Sequence, residues 1–213
     1  MTTNPARIPL LIDIFDKKAQ RALALPTMTP PELVEAVLQE FREIEYLGDT
    51  PGEYRLIKLK DQAPLKNDTP IGQQLTSNDQ LLLNEHAASV PKNAQALTKH
   101  VYLREQGSGK VYKLHWQPAV IGRPDKQATN EYLAVNLGPY PTATHVSRRH
   151  AQITEENGSF YIASLSTQNP TSLKDAQGNV IARLGTQKHP LQHGDTISLD
   201  YSQITLKFII RST

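Results

Sequence analysis

The spacing of apolar positions changes along this chain, and the changes divide it. Residues 8–15 read Ile-Pro-Leu-Leu-Ile-Asp-Ile-Phe, an apolar run that predicts a strand. Asp16-Lys17-Lys18 predicts a turn, and residues 20–25 a second strand that closes a hairpin. Thr29-Pro30-Pro31-Glu32 has Thr and Glu at the spacing of a capping box, with Pro admitted in the first turn. Behind it, Leu33, Val37, Phe41 and Ile44, with Val34 and Leu38 beside them, recur at helical spacing on one face. Residues 54–59 alternate as a strand does, and residues 79–83 predict another. From Val101 onward no helical period is visible. Residues 101–105, 110–115, 118–122, 134–137, 150–154, 159–163, 195–199 and 203–210 read as short strands. Turns such as Gln106-Gly107-Ser108-Gly109 and Glu156-Asn157-Gly158 separate them, which predicts an all-β sandwich or barrel.

Between the two patterns, residues 85–96 lack alternation and contain Pro91; they read as a linker, with room for a short helix. Charge changes sign across it. Residues 1–97 hold 10 Lys and Arg against 13 Asp and Glu, net −3, and residues 98–213 hold 13 against 8, net +5. Neither value demands a nucleic-acid groove, but the second half suits an acidic ligand better. The 213 residues are enough for two domains. With Gly counted in place of Tyr the apolar share is roughly 39%, below the usual 45–50%, which suits two modest cores. Zero Cys removes disulfides, thiol nucleophiles and thiolate metal sites together. No apolar stretch reaches the ~18 residues that a membrane-spanning helix needs. Met1-Thr2-Thr3-Asn4-Pro5 has no basic-then-apolar leader, so a cytoplasmic protein is expected.

Hairpin, helix, strand and late strand is the order of the β-grasp fold, and in this the first 85 or so residues resemble the ubiquitin-like superfamily. Asp68-Thr69-Pro70-Ile71-Gly72-Gln73-Gln74-Leu75, ahead of Asp79-Gln80-Leu81, is similar to that family's turn before its last strand. Here the last strand runs into Asn84-Glu85-His86 rather than a diglycine tail, so conjugation is not implied. Contact with a second protein partner through this half is what the resemblance suggests.

Four pieces of the second half occur in a fixed order: Ile121-Gly122-Arg123, Val146-Ser147-Arg148-Arg149-His150-Ala151, Thr167-Gln168-Asn169-Pro170-Thr171 and Leu191-Gln192-His193-Gly194-Asp195-Thr196-Ile197. Together they resemble the forkhead-associated (FHA) domain, whose pieces read Gly-Arg, Ser-x-x-His, Asn-Gly-Thr and Leu-x-x-Gly-Asp-x-Ile. That family folds as an antiparallel sandwich whose loops at one end bind phosphothreonine peptides. The resemblance implies structural roles for Gly122, His150, Thr171, Gly194 and Asp195, with His150 buttressing a loop.

The residue types suit a phosphate. A phosphate monoester carries about −1.5 to −2 charge and three acceptor oxygens, so its site needs fixed donors and positive charge. Arg123 supplies a planar fork, Ser147 a short hydroxyl, and Asn169 an amide that both donates and accepts. Arg148 would add charge beside Ser147, and Gln168 stands where the family commonly has a Ser or Thr. Taken singly, each has a plainer reading: a solvated Arg, a turn Ser, an Asx turn before Pro170, and a turn at Gly194-Asp195.

The departures matter as well. Pro170 replaces the usual Gly, removing an N–H and pushing Asn169 toward extended backbone, and Ser164 replaces an Asp. Phosphate capture by Arg123 and Ser147 is therefore better founded than backbone clamping by Asn169.

Gln106-Gly107-Ser108-Gly109-Lys110 looks like a phosphate loop, but Arg104 and Val111 break its pattern and a hairpin turn is expected. The histidines form no spaced metal set, and Ser147, His150 and Asp195 lack the context of a hydrolase. The expectation is two domains: an α+β β-grasp ubiquitin-like domain over residues 1–85, a linker over 86–97, and an all-β FHA sandwich over 98–213. Its function would be that of a non-enzymatic signalling adaptor for phosphothreonine-containing partners. Neither cofactor nor metal, nucleic acid nor membrane insertion is expected. The alternatives are a scaffold that binds partners without phosphate and, third, an enzyme.

Overall fold

A computed structural model describes residues 6–125 and 132–211; the Met1–Pro5 stretch read for a leader lies outside them. The chain divides into two compact units, Met1–Ala87 and Ala88–Thr213.

The first unit comprises β1 (Ile8–Ile14), β2 (Lys17–Ala24), α1 (Pro30–Glu40), β3 (Tyr54–Lys58), β4 (Ala63–Pro64) and β5 (Gln80–Glu85). Its sheet has the order β2-β1-β5-β3-β4, with β1 parallel to β5 and the other pairs antiparallel. The helix starts where the capping pattern places it: the Glu32 carboxylate accepts from the Thr29 N–H (2.7 Å) and hydroxyl (2.9 Å). Leu33, Val34, Val37 and Leu38 are buried in one core with Leu10, Ile12, Ile14, Leu81 and Leu83 from the sheet. Each such side chain contributes roughly 1.5–3 kcal/mol by leaving water. The helix is shorter than the apolar period. After Glu40 the backbone tightens into i→i−3 bonds, Ile44 to Phe41 and Leu47 to Ile44, and Ile44 is buried from this turn rather than from the helix.

Among its described residues the second unit is built from strands apart from a short 3-10 turn: β6 (Gln95–Glu105), β7 (Val111–Gln117), β8 (Ala119–Gly122), β9 (Val135–Asn136), β10 (Ala151–Glu156), β11 (Ser159–Ser164), β12 (Thr171–Lys174), β13 (Val180–Leu184), β14 (His189–Leu191), β15 (Thr196–Leu199) and β16 (Ile204–Arg211). They form two sheets, β14-β11-β10-β8-β9 and β13-β12-β15-β16-β6-β7. Their inward positions make one core that includes Leu103, Ile121, Ile153, Ile162, Leu173, Ile197, Leu206 and Phe208. Across it the Phe160 and Phe208 rings meet edge to face at 5.3 Å.

Two expectations change. The stretch read as linker loses its end, because β6 begins at Gln95: Gln95 and Ala96 pair with Gln117 and Trp116, and Leu97 packs on the core. A register shift between Ala96 and Val101 breaks the alternation that would have revealed it. The two-residue β4 of the first unit and three short strands of the second also escaped the pattern. β13 and β14 are sheet edges, where outward Val180 and Ile181 stay exposed and Pro190 is tolerated, and β12 is only four residues long. Among the described residues no helix is long and apolar enough to cross a membrane.

Candidate functional site

The strand registers bring several loops to one end of the second unit: the chain leaving β8, residues 146–150 before β10, residues 165–170 between β11 and β12, and the turn 200–203. Gly122 ends β8 in direct contact with the 146–150 loop. A Cβ there would lie 1.9 Å from the Arg148 carbonyl oxygen, so only glycine permits the approach.

Arg123 follows. Its N–H donates to the Ser147 carbonyl (3.2 Å) and its Nε to the Val146 carbonyl (2.7 Å). The guanidinium is thus held against the loop that carries Ser147. The Ser147 hydroxyl receives Nδ2 of Asn169 at 2.9 Å and lies 2.8 Å from the hydroxyl of Ser166. Arg123, Ser147 and Asn169, far apart in sequence, are therefore brought together through one loop. Asn169 is tied down on its backbone too, its N–H donating to Ser166 Oγ at 2.9 Å.

His150 lies beneath them, 1% exposed. Its Nδ1 accepts the Ser147 N–H (3.2 Å), so the ring proton is on Nε2, which faces Thr171 Oγ1 at 3.1 Å in the buried interior. Its backbone receives the Leu165 N–H (2.9 Å) and the Ser166 N–H (3.2 Å) and donates to the Ile121 carbonyl (2.8 Å). The residue thus joins the β8 end and both loops. Burial pushes the imidazole pKa down from 6.5 to about 4, against the smaller opposing pull of Asp200 and the Pro170 carbonyl. At neutral pH it is uncharged.

Other sequence-marked residues sit differently. The Arg148 guanidinium is bound to the Asp125 carboxylate at 2.9 Å, so its charge is already met by a neighbour. Gln168 is exposed, with its backbone N–H 3.4 Å from Ser166 Oγ. Gly194 and Asp195 lie before β15, at the end of the sandwich away from Leu199 and the Pro170 loop. Gly194 has φ +93°, and the Asp195 carboxylate accepts the Gln192 N–H at 2.8 Å, while burial pushes its pKa up. They make a turn remote from the site. The 106–110 segment is a turn as well. The Glu105 carboxylate accepts the Gly107 N–H (2.9 Å) and the Ser108 N–H and hydroxyl (both 2.6 Å), filling the place a phosphate would take. Ser166 is the residue that sequence reasoning missed. Its spacing ahead of Asn169 was visible, but no motif piece contains it.

Among the described residues no group of three or more His, Asp or Glu could hold a metal. No curated protein matches this sequence. Among solved structures it is similar to the FhaA FHA domain complexed with the intracellular domain of Rv3910, at 27% identity over 51% of this chain and 98% of that one, with a TM-score of 0.37. It is also similar to the FHA domain of human APLF in complex with XRCC1 bisphospho peptide, at 23% identity over 52% and 97% of the two chains and a TM-score of 0.38. A third similarity is to a structure from an analysis of phosphothreonine-dependent FHA domain interactions, at 24% identity over 54% and 99% and a TM-score of 0.39. Residues 120–200 match the model of the FHA domain family, a stretch that runs from β8 to the turn after β15 and includes Arg123, Ser147 and Asn169. Within its second unit the chain thus matches the FHA domain family over those 81 residues.

Proposed function

We propose that the second unit captures a phosphothreonine-containing segment of a partner protein at Arg123, Ser147 and Asn169, and that the protein is a non-enzymatic adaptor of the cytoplasm. The observation that carries this reading is the convergence of those three side chains, from three separate stretches, on the Val146–Ser147 backbone and hydroxyl. A phosphate monoester needs such a set: a guanidinium, a hydroxyl and an amide held in place before the ligand arrives. The FHA assignment of residues 120–200 supports it, because relatives with that domain are described with phosphopeptides. Arg148 and Gln168 contribute at the rim, Arg148 by exchanging Asp125 for the ligand.

The first unit is, in this proposal, a ubiquitin-like β-grasp domain that meets a second protein through its surface. The mixed sheet with parallel β1 and β5, and a single helix packed over it, supports that reading. Calorimetric titration of the full chain with a degenerate phosphothreonine peptide library, and with its unphosphorylated twin, tests the proposal. Binding of the phosphorylated library alone is expected. Equal binding of the two, or none at millimolar peptide with the fold intact, would replace it with a phosphate-independent scaffold.

A further inference from the structure

Ser166 belongs to none of the motif pieces, yet three polar groups surround its hydroxyl oxygen. The Asn169 N–H lies at 2.9 Å, the Gln168 N–H at 3.4 Å and the Ser147 hydroxyl at 2.8 Å. A backbone N–H only donates, and a hydroxyl has two lone pairs and one proton. The two N–H groups therefore occupy the acceptor side of Ser166, and its proton is left to point at Ser147. The Ser147 oxygen also receives an amide proton from Asn169 Nδ2 at 2.9 Å. With both its lone pairs engaged, Ser147 has only its own proton to offer.

We propose that Ser166 is a positioning residue that makes the Ser147 hydroxyl an obligate donor, so that the site accepts a ligand group able only to accept. This deepens, and rests on, the phosphothreonine reading above. A serine alone on a loop is a free rotor that donates or accepts as its neighbour requires. Here the direction is set by backbone N–H groups that cannot be reversed, relayed through one hydroxyl to another. A phosphate dianion, with three oxygens and no proton, matches that polarity; an unmodified threonine hydroxyl, which needs an acceptor for its own proton, does not. The device therefore supplies selectivity for the phosphorylated state beyond charge attraction to Arg123. It also gives Asn169 a task that survives Pro170: one amide proton is spent on Ser147, whichever way the ligand backbone runs.

The test is a double-mutant cycle read by calorimetry on the full chain, with a phosphothreonine peptide selected from the library. Ser166→Ala should weaken binding roughly three- to tenfold, the value of one neutral hydrogen bond. Ser166→Thr, which keeps the hydroxyl, should restore most of it. In the Ser147→Ala background, Ser166→Ala should add nothing, because its effect passes through the Ser147 proton. Ser166→Cys keeps the volume with a poorer donor and acceptor; it should weaken binding in the same sense, and it takes the place of Ser166→Ala if that variant unfolds. Unchanged affinity for Ser166→Ala, or full additivity with Ser147→Ala, overturns the relay and leaves the phosphothreonine reading standing. Failure of the folded wild-type protein to bind any phosphopeptide overturns both.

Discussion

At the scale of single residues, the site depends on close approach and on a buried neutral ring. Gly122→Ala puts a Cβ inside the Arg148 carbonyl. The 146–150 loop must move away, so phosphopeptide affinity should fall at least tenfold, with a stability loss of about 1–3 kcal/mol. Thermal unfolding and calorimetry together check this, and an alanine variant with wild-type affinity would contradict it. In the proposed complex, Arg123→Ala would remove a charge-assisted contact worth roughly 1.5–3 kcal/mol and should weaken binding about ten- to a hundredfold. Ser147→Ala should cost less, as a neutral hydroxyl is lost.

His150 yields a pH prediction. Its folded pKa, about 4, lies below the ordinary 6.5, so between these values the unfolded chain binds more protons than the folded one. Stability should be level above pH 6.5 with respect to this group and fall as pH drops toward 4, by about 3 kcal/mol in all. An NMR titration of the imidazole decides it; a midpoint near 6.5 would show that the ring is not desolvated as described.

At the scale of elements, patterning was legible wherever alternation or helical period ran over several residues. The β1–β2 hairpin, α1 with its Thr29–Glu32 start, and β10, β11, β15 and β16 all lie within a few residues of where spacing put them. The short edge strands were not legible. An edge strand has one partner and little to bury, so Val180 and Ile181 stand outward and His189-Pro190-Leu191 carries a proline. The β6–β7 turn shows how local chemistry can look like a ligand site. Glu105, 5% exposed, takes three donors of its own turn, and those hydrogen bonds hold its pKa low despite burial. Glu105→Gln would turn an amide donor toward backbone donors. A loss of about 1–3 kcal/mol in denaturant unfolding is expected, where an unchanged midpoint would show that the turn holds without its carboxylate.

At the scale of the whole molecule, the prediction is separability. Residues 1–87 and residues 88–213, each with its own apolar core, should fold cooperatively as separate fragments. A fragment beginning at residue 98 should unfold at lower denaturant than one beginning at 88. It lacks the Gln95 and Ala96 pairings with Gln117 and Trp116 and the packing of Leu97. Equal midpoints would return those residues to the linker. The two patterns of periodicity, the change of charge between them and the order of the four motif pieces are legible in the residues alone, because these are local or linear properties that need no neighbour to be read. It took the folded chain to show that Arg148 pairs with Asp125, that Gly194 and Asp195 lie at the far end, and that Ser166 joins Ser147 to Asn169. Those outcomes depend on which loops antiparallel registers bring to one end of a sandwich, and a hydrogen bond between residues 147 and 166 has no signature in either residue alone.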